Sequence, residues 1–112
     1  MKIIVIVDMQ YDFIDGSLGS AEAQAIVPIM IARLKEYEGE QPLVIFTKDT
    51  HKENYLETQE GKYLPVEHCI KDTAGWEICN ELKPYVKKVV NNINGNLTIE
   101  EQIKEALKLL GK

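Results

Sequence analysis

The sequence predicts a three-layer α/β domain on a parallel sheet of about three strands in the order 3-2-1. The first observation is the β-branched run Ile3–Val7, which is typical of a parallel strand buried on both faces. The second is a shorter apolar run at residues 43–47. The third is the alternation of such runs with helical segments, which predicts right-handed crossovers. The length of 112 residues fits one domain.

A helix is expected between the first two strands. Residues 11–19 are expected to form a loop, with an Asp-Gly-Ser turn at 15–17. Ser20 can cap a helix that runs to about Glu38 and carries apolar residues on one face. Pro28 lies inside this span and marks either a kink or the true first turn.

The middle of the chain is less regular. Residues 48–75 are expected to form a long loop, and loops of this length are usually functional or disordered. A short helix is expected within residues 75–84 and a third, shorter strand within residues 85–90. The asparagine-rich residues 91–96 have the composition of a turn.

The C-terminal segment predicts a helix with a clear start and end. Thr98 and Glu101 have the spacing of a capping box, and Gly111 is the expected stop. Apolar residues follow at helical spacing: Ile99, Ile103, Ala106, Leu107 and Leu110.

Composition excludes several classes of partner. The net charge of −5, without a basic stripe, argues against a nucleic-acid partner. No apolar run reaches membrane-spanning length, and the start lacks a signal-peptide layout, so no membrane partner is expected. Cys69 and Cys79 have neither zinc-ribbon nor redox spacing. They are expected to be free thiols in a reducing cytoplasm.

One aspartate and two histidines form the candidate metal site. Asp49 and His51 follow the second apolar run at spacing i, i+2, so their side chains leave the strand end on the same side. His68, the only other histidine, lies in the loop that follows. This donor set suits Zn²⁺, Fe²⁺ or Mn²⁺. Taken alone, Asp-x-His also fits a turn with a hydrogen-bonded pair.

Asp8 ends the first strand, where ligands collect in open parallel sheets. It is therefore a candidate functional residue. From this residue alone, a carboxylate that caps the loop is the favoured interpretation.

Five motifs together resemble the nicotinamidase and isochorismatase-like cysteine hydrolases. In chain order they are IVDMQYDF at residues 6–13, GSLG at 16–19, TKDTH at 47–51, LPVEHC at 64–69 and TAGW at 73–76. The resemblance covers about residues 3–91. It is strongest to the nicotinamidase branch, because Asp49, His51 and His68 match the metal ligands of that branch.

The resemblance implies a six-stranded three-layer fold, of which this chain would supply half, and a specific chemistry. In nicotinamidases a cysteine attacks the carboxamide of nicotinamide, and water hydrolyses the thioester. An aspartate at the position of Asp8 takes the thiol proton, and a lysine completes the triad. An aromatic residue at the position of Phe13 packs on the substrate ring, while the metal holds the ring nitrogen. Glu60 matches the position of a fourth protein ligand in some members, and Glu53 is a weaker candidate.

This sequence departs from the family at two catalytic positions. The family lysine follows the third strand, where this chain has Asn91 and Asn92. The nucleophilic cysteine belongs to the second half of the family fold, which the 112 residues do not include. Cys69 matches a cysteine that is not catalytic in the family, and Cys79 is expected to contribute packing. Of the triad, only Asp8 is expected here.

Residues 1–112 are therefore expected to form one domain that is truncated or engineered, or a natural fragment, with a family-like part over 1–91 and a turn and closing helix over 92–112. The expected function is binding of a divalent metal by a catalytically incomplete half-domain. Zinc is the favoured ion, and manganese and iron are alternatives. A nicotinamide-like ligand is possible. The open alternatives are an amidohydrolase completed by another chain and an oligomeric scaffold without metal.

The first strand also predicts self-association. Without the rest of the family sheet, Ile3–Val7 would lie at an edge and expose unpaired backbone groups. We expect a homodimer in which this strand meets its copy antiparallel and closes a six-stranded sheet. The alternative is that the C-terminal helix or the 48–75 segment covers the edge.

Overall fold

The computed structural model describes residues 2–108, and its centre is a three-stranded parallel sheet in the order β1-β2-β3. The strands are β1 (Ile3–Val7), β2 (Leu43–Thr50) and β3 (Lys88–Ile93). Val7 lies beside Thr47, and Asp49 lies beside Asn92. The predicted fold class and strand order are confirmed.

Within residues 2–108, three α-helices and several 3₁₀ turns connect the strands, and a fourth α-helix follows β3. The helices are α1 (Tyr11–Ile14), α2 (Ala21–Tyr37), α3 (Gln59–Tyr63) and α4 (Ile99–Lys108). The 3₁₀ turns are Glu38–Glu40, Tyr55–Glu57, Ala74–Trp76 and Lys83–Tyr85. Within residues 2–108, no helix is long and apolar enough to cross a membrane.

Both faces of the sheet are covered by helix. Val44 and Phe46 point to one face and pack with Val27 and Leu34 of α2 in the main core. Ile45, between them in sequence, points to the other face and is completely buried. The helix α4 covers that second face and contacts β1 and β3. Burial on both faces explains why β2 is apolar before its polar carboxyl end, whereas β3 is mostly exposed and half of its residues are polar.

The helix α2 begins at its predicted cap. The Ser20 hydroxyl accepts a hydrogen bond from the Ala23 N–H at 3.0 Å. Pro28 lies inside the helix rather than in its first turn.

The strand β2 is longer than the sequence predicts, and β3 begins and ends three residues later than the predicted range of 85–90, since Tyr85 belongs to a 3₁₀ turn. β2 continues to Thr50 because its last residues pair with β3, so Asp49 lies within a strand. The expected turn at residues 91–93 is wrong, since these residues complete β3. An asparagine is tolerated there because the Asn92 side chain makes two hydrogen bonds to the Leu97 backbone.

The connections contain more helix than expected in two places and less in a third. The expected loop at residues 11–19 begins with α1, and the long segment after β2 contains α3. The expected helix within residues 75–84 is replaced by two 3₁₀ turns. Residues between these turns bond instead to the segment after β1, since the Tyr11 N–H donates to the Glu77 carbonyl at 3.1 Å and the Cys79 N–H donates to the Met9 carbonyl at 3.2 Å.

The helix α4 has the predicted capping box. The Glu101 N–H donates to the Thr98 hydroxyl at 3.1 Å, and the Thr98 N–H donates to Glu101 Oε1 at 2.9 Å. Ala106 of the apolar stripe is buried. Three members of the stripe remain exposed: Ile99, Ile103 and Leu107. The predicted Leu110 and stop at Gly111 lie outside the described residues.

Candidate metal centre

The carboxyl end of β2 extends past the end of β1 and carries the first candidate ligand. Val7, the last residue of β1, lies beside Thr47. Residues 48–50 therefore continue with β3 as their only strand neighbour among the described residues. Asp49 lies in this extension and His51 follows it directly. The period of two in a strand places both side chains on the same face.

The Gln10 side chain takes the place of a strand beside Asp49. Its Oε1 accepts a hydrogen bond from the Asp49 N–H at 2.9 Å, and its Nε2 donates to the Asp49 carbonyl at 2.8 Å. Nε2 also donates to the Trp76 carbonyl at 2.8 Å, and the residue is completely buried. One amide thus supplies both backbone hydrogen bonds that a longer β1 would make. The sequence did not predict this role, because Gln10 was recognised only as part of the motif at residues 6–13.

Backbone hydrogen bonds bring His68 beside His51. The His51 N–H donates to the Cys69 carbonyl at 2.9 Å, and the Lys71 N–H donates to the His51 carbonyl at 2.8 Å. The Asp12 carboxylate accepts from the Cys69 N–H at 2.8 Å and so holds the same segment against α1. Asp12 is a second positioning residue that sequence reasoning did not single out.

The three predicted ligands form one buried cluster. Asp49 Oδ2 lies 3.0 Å from His51 Nε2 and 3.4 Å from His68 Nε2. One donor atom from each residue lies within 4.8 Å of the other two, and all three residues are buried. The structure therefore brings together a donor set of the kind that divalent transition metals prefer.

The ring orientation of His68 suits a metal ligand. Its Nδ1 lies 2.8 Å from the Val66 carbonyl, which can only accept a hydrogen bond, so Nδ1 carries the proton. In the neutral ring, Nε2 then presents its lone pair to the cluster. A backbone carbonyl that fixes the tautomer in this way is a common outer partner of metal-bound histidine. Tyr55 packs edge-on against both imidazoles and limits their rotation.

The charges in the cluster stabilise one another. Burial would raise the pKa of Asp49, but hydrogen bonds with His51 and His68 outweigh burial and hold the pKa below its usual value. Burial would lower the pKa of His68, but hydrogen bonds to Asp49 and the Val66 carbonyl outweigh it and raise the pKa. The site thus favours positive charge between these groups, which a divalent cation can provide in place of a proton.

The carboxylate of Glu60 also lies close to the two candidate histidine ligands. Its Oε2 lies 3.8 Å from His51 Nε2 and 3.7 Å from His68 Nε2, and its side chain is 43% exposed. Among the described residues, Glu53 makes no corresponding ion pair, and it is exposed. The geometry therefore favours Glu60 over Glu53, and the role of Glu60 as a ligand stays a prediction.

Asp8 lies at the end of β1 in a left-handed backbone conformation, with φ of 57°. Asp is among the residues that tolerate this region. Burial, and then the charge of Asp49, raise the pKa of Asp8 from 3.8 to about 6. In the part of the chain that the structure describes, the buried Asp8 Oδ1 has no hydrogen-bond partner. Such an atom can accept a proton from a ligand, as a general base does.

Phe13 lies beside the candidate ligands. Its ring centroid is 5.5 Å from that of His68, and the side chain is half-buried. This position allows an aromatic ligand to contact Phe13 while it reaches the cluster. The substrate-binding role itself stays a prediction.

Neither cysteine has the surroundings of a catalytic thiolate. Both are free and buried. Burial, followed by the charges of Asp49, Asp12 and Asp8, raises the pKa of the Cys69 thiol far above its usual value. Burial also raises the pKa of Cys79. A nucleophilic cysteine requires the opposite shift.

Comparison with known proteins agrees with this geometry. The sequence model of the isochorismatase domain matches residues 2–111. The chain belongs to the isochorismatase domain family. The matched range of this family extends through α4 and so includes the segment that the motifs alone did not cover. No curated protein matches the chain.

Solved structures of the isochorismatase family and related hydrolases share the fold. The pyrazinamidase of Pyrococcus horikoshii in complex with zinc is 27% identical, covers 82% of this chain and 50% of its own, and has a TM-score of 0.61. The pyrazinamidase/nicotinamidase of Streptococcus mutans is 24% identical over 96% of this chain and 67% of its own, with a TM-score of 0.69. The N-carbamoylsarcosine amidase of Thermoplasma acidophilum is 24% identical over 96% and 63%, with a TM-score of 0.68. The chain spans about half to two thirds of these proteins.

We predict that Asp8→Asn stabilises the metal-free protein at neutral pH. The pKa of Asp8 is about 6 in the fold against 3.8 in the unfolded reference, so its charge costs stability as pH rises from about 4 to 6. Removing the charge should add roughly 1–2 kcal/mol above pH 7, less than the full shift implies because the carboxylate is partly exposed.

Urea unfolding in the presence of a chelator at pH 4 and pH 7.5 measures this difference. The gain should be much smaller at pH 4, because Asp8 is then protonated in the fold and only partly ionised in the unfolded chain. A gain of equal size at both pH values would show that amide packing, and not charge, is responsible.

Proposed function

We propose that this chain binds one divalent cation through Asp49, His51 and His68, with zinc as the first candidate and Mn²⁺ or Fe²⁺ as alternatives. The observation that carries the proposal is the convergence of three donor atoms within 4.8 Å in a buried cluster. The fixed tautomer of His68, which leaves its Nε2 lone pair facing the cluster, supports it. A further support is that the Pyrococcus horikoshii pyrazinamidase has a zinc complex.

We further propose that the bound ion and Phe13 hold a small aromatic amide of the nicotinamide type. A bound divalent ion supplies a positive charge that orients and polarises a coordinated ligand. Phe13 offers a ring surface next to His68, and Asp8 offers a base with a pKa of about 6 at the same end of the sheet. Similarity to nicotinamidases and pyrazinamidases supports this substrate class.

The attacking nucleophile is not among the residues of this chain in our proposal. The pKa of Cys69 and of Cys79 is raised, and Asn92, beside Asp49 in the sheet, cannot replace a lysine as a cation. Residues 1–112 thus supply the metal ligands, the ring contact and the base, and the thiolate would come from outside these residues. Buried free thiols also support a reducing compartment such as the cytoplasm.

Titration calorimetry with Zn²⁺, Mn²⁺ and Fe²⁺ tests the metal site. We expect one ion per chain at neutral pH and at least a hundredfold loss of affinity in His51→Ala and His68→Ala, since each removes a ligand. Glu53→Gln, an exposed carboxylate outside the cluster, is the matched control and should leave the affinity unchanged.

Affinity should also fall as pH decreases, by about tenfold per pH unit for each proton displaced. The raised pKa of His68 means that this loss begins at a higher pH than for an ordinary histidine. An absence of binding heat for all three ions at pH 7.5 would refute the proposed site.

An assay with nicotinamide and bound zinc tests the missing nucleophile. We expect no amide hydrolysis above a metal-only blank, because a base without a nucleophile cannot form the thioester. Turnover that is lost in Asp8→Ala, or a covalent adduct on Cys69 or Cys79 in mass spectra, would contradict this expectation and favour a complete amidohydrolase.

We propose a homodimer formed through β1. The strand has β2 on one side and, within residues 2–108, no strand on the other. Its side chains are apolar and partly exposed, and no proline or inward charge protects the edge. A two-fold axis would pair β1 with its copy antiparallel and give a six-stranded sheet.

Light scattering at tens of micromolar should therefore give a dimer mass, which Val5→Lys reduces toward the monomer. Val89→Lys, a matched change on the exposed part of β3, should keep the dimer. A monomer mass for the unchanged chain would exclude the dimer, and dissociation by Val89→Lys alone would assign the contact to β3.

A further inference from the structure

The turn at residues 94–96, which is the part of the predicted turn at 91–96 that the structure contains, lies directly against the candidate metal ligands. It follows β3. The Asn94 N–H donates to the Thr50 carbonyl at 2.7 Å, so the turn begins beside the end of β2. Together with residues 58–60 it forms the walls of a polar cleft of about 280 Å³, with His51 at its base.

Gly95 of this turn packs closely against Glu60 and the candidate ligands Asp49 and His51. A Cβ atom at this position would lie 3.1 Å from Glu60 Oε1, 3.3 Å from Asp49 Oδ1 and 3.5 Å from His51 Cε1. The first two distances are shorter than ordinary van der Waals contacts. The φ of Gly95 is +64°, a region that glycine adopts without cost. The backbone of the turn is therefore packed against the carboxylates of Glu60 and Asp49, and a side chain at position 95 would require one of them to move by a few tenths of an ångström.

Asn92 anchors this turn. Its Nδ2 donates to the Leu97 carbonyl at 3.1 Å, and its Oδ1 accepts from the Leu97 N–H at 2.8 Å. Gln102 of α4 donates to the same carbonyl at 3.2 Å. Asn92 and Gln102 are both buried. A pair of buried side chains thus fixes the residue that follows the turn and, with it, the position of Gly95.

We propose that Gly95, held in place by Asn92, positions Glu60 as the fourth protein ligand of the metal. This inference rests on the proposed metal site. The Glu60 carboxylate lies between the turn and the two imidazoles, less than 4 Å from each Nε2 atom. Gly95 limits its movement on the side away from the histidines. Without a side chain at position 95, Glu60 Oε1 can lie against the turn while Oε2 faces the cluster.

Glu60 is the group that would move if this space were filled. Its side chain is 43% exposed, whereas that of Asp49 is 10% exposed and is fixed by Gln10 through the backbone. A side chain at position 95 would therefore displace Glu60 outward and leave Asp49, His51 and His68 in place. The expected result is a metal site with three protein ligands and one additional open coordination position.

A double-mutant cycle between positions 95 and 60 tests the proposal. Zn²⁺ affinity is measured for Glu60→Ala, Gly95→Asn and the double variant. Asn is chosen because it adds a Cβ but tolerates a positive φ. We expect each single variant to weaken binding by roughly tenfold to a hundredfold, as loss of a supporting group does in metal sites. The double variant should be no weaker than Glu60→Ala, because both changes remove the same ligand.

Asn92→Ala provides a second route, since it releases the anchor and leaves the turn sequence intact. It should weaken Zn²⁺ binding in the unchanged chain and have no effect when Glu60 is already alanine. Asn91→Ala, its exposed neighbour in β3, is the matched control and should not change the affinity. The absorption spectrum of the Co²⁺ form should change identically in Glu60→Ala and Gly95→Asn.

The outcomes separate this inference from the proposed function. If the unchanged chain binds no Zn²⁺, the metal site itself is wrong. If the chain binds Zn²⁺ but Glu60→Ala keeps the full affinity, the site stands and the role of Gly95 is refuted. Additive losses in the double variant would also refute it, because they would show that Gly95 acts independently of Glu60.

Discussion

The two hydrogen bonds between the Gln10 side chain and the backbone of Asp49 are the contact on which the site depends. β1 ends at Val7, yet β2 continues for three more residues, from 48 to 50. An extended strand that loses its neighbour leaves backbone N–H and C=O groups to be satisfied, and a buried unpaired group costs roughly 1–3 kcal/mol. A single buried amide meets this requirement at Asp49 and also fixes the Trp76 turn.

This arrangement explains why chemistry concentrates at one end of the sheet. Because β1 departs early, Asp8 can turn away in a left-handed conformation while Asp49 remains in the plane of the sheet. The charges of these carboxylates still interact, and Asp49 contributes to the raised pKa of Asp8. Asp12 ties the His68 segment to the same region through Cys69. One terminus of a parallel sheet thus holds a base and a metal-ligand set, as expected where strands diverge.

The structural elements that depend on hydrophobic periodicity and on local helix caps were predicted correctly from the sequence. The β-branched run of β1, the Ser20 cap and the capping box at Thr98 are local signals, and each corresponds to the element observed. The clustering of Asp49, His51 and His68 was predictable because the spacing i, i+2 and the family motifs agreed.

Other features depend on contacts between distant residues. The extension of β2 and β3 requires pairing between them, and the polar residues at their ends suggested loop instead. The roles of Gln10, Asp12 and Gly95 arise from partners about 35 or more residues away, and a single sequence contains no local signal for them. The apolar stripe of α4 predicted the helix, but it did not predict which residues of the stripe would be buried and which would remain exposed.

X-ray absorption at the zinc edge of the stoichiometrically loaded chain measures the ligands of the proposed site. We expect a first shell of nitrogen and oxygen at about 2.0–2.2 Å, with the outer scattering of two imidazoles and no sulfur. His68→Ala should remove the scattering of one imidazole. A sulfur shell at about 2.3 Å, which only a cysteine ligand such as Cys69 would produce, or a shell without imidazole, would refute the site formed by Asp49, His51 and His68.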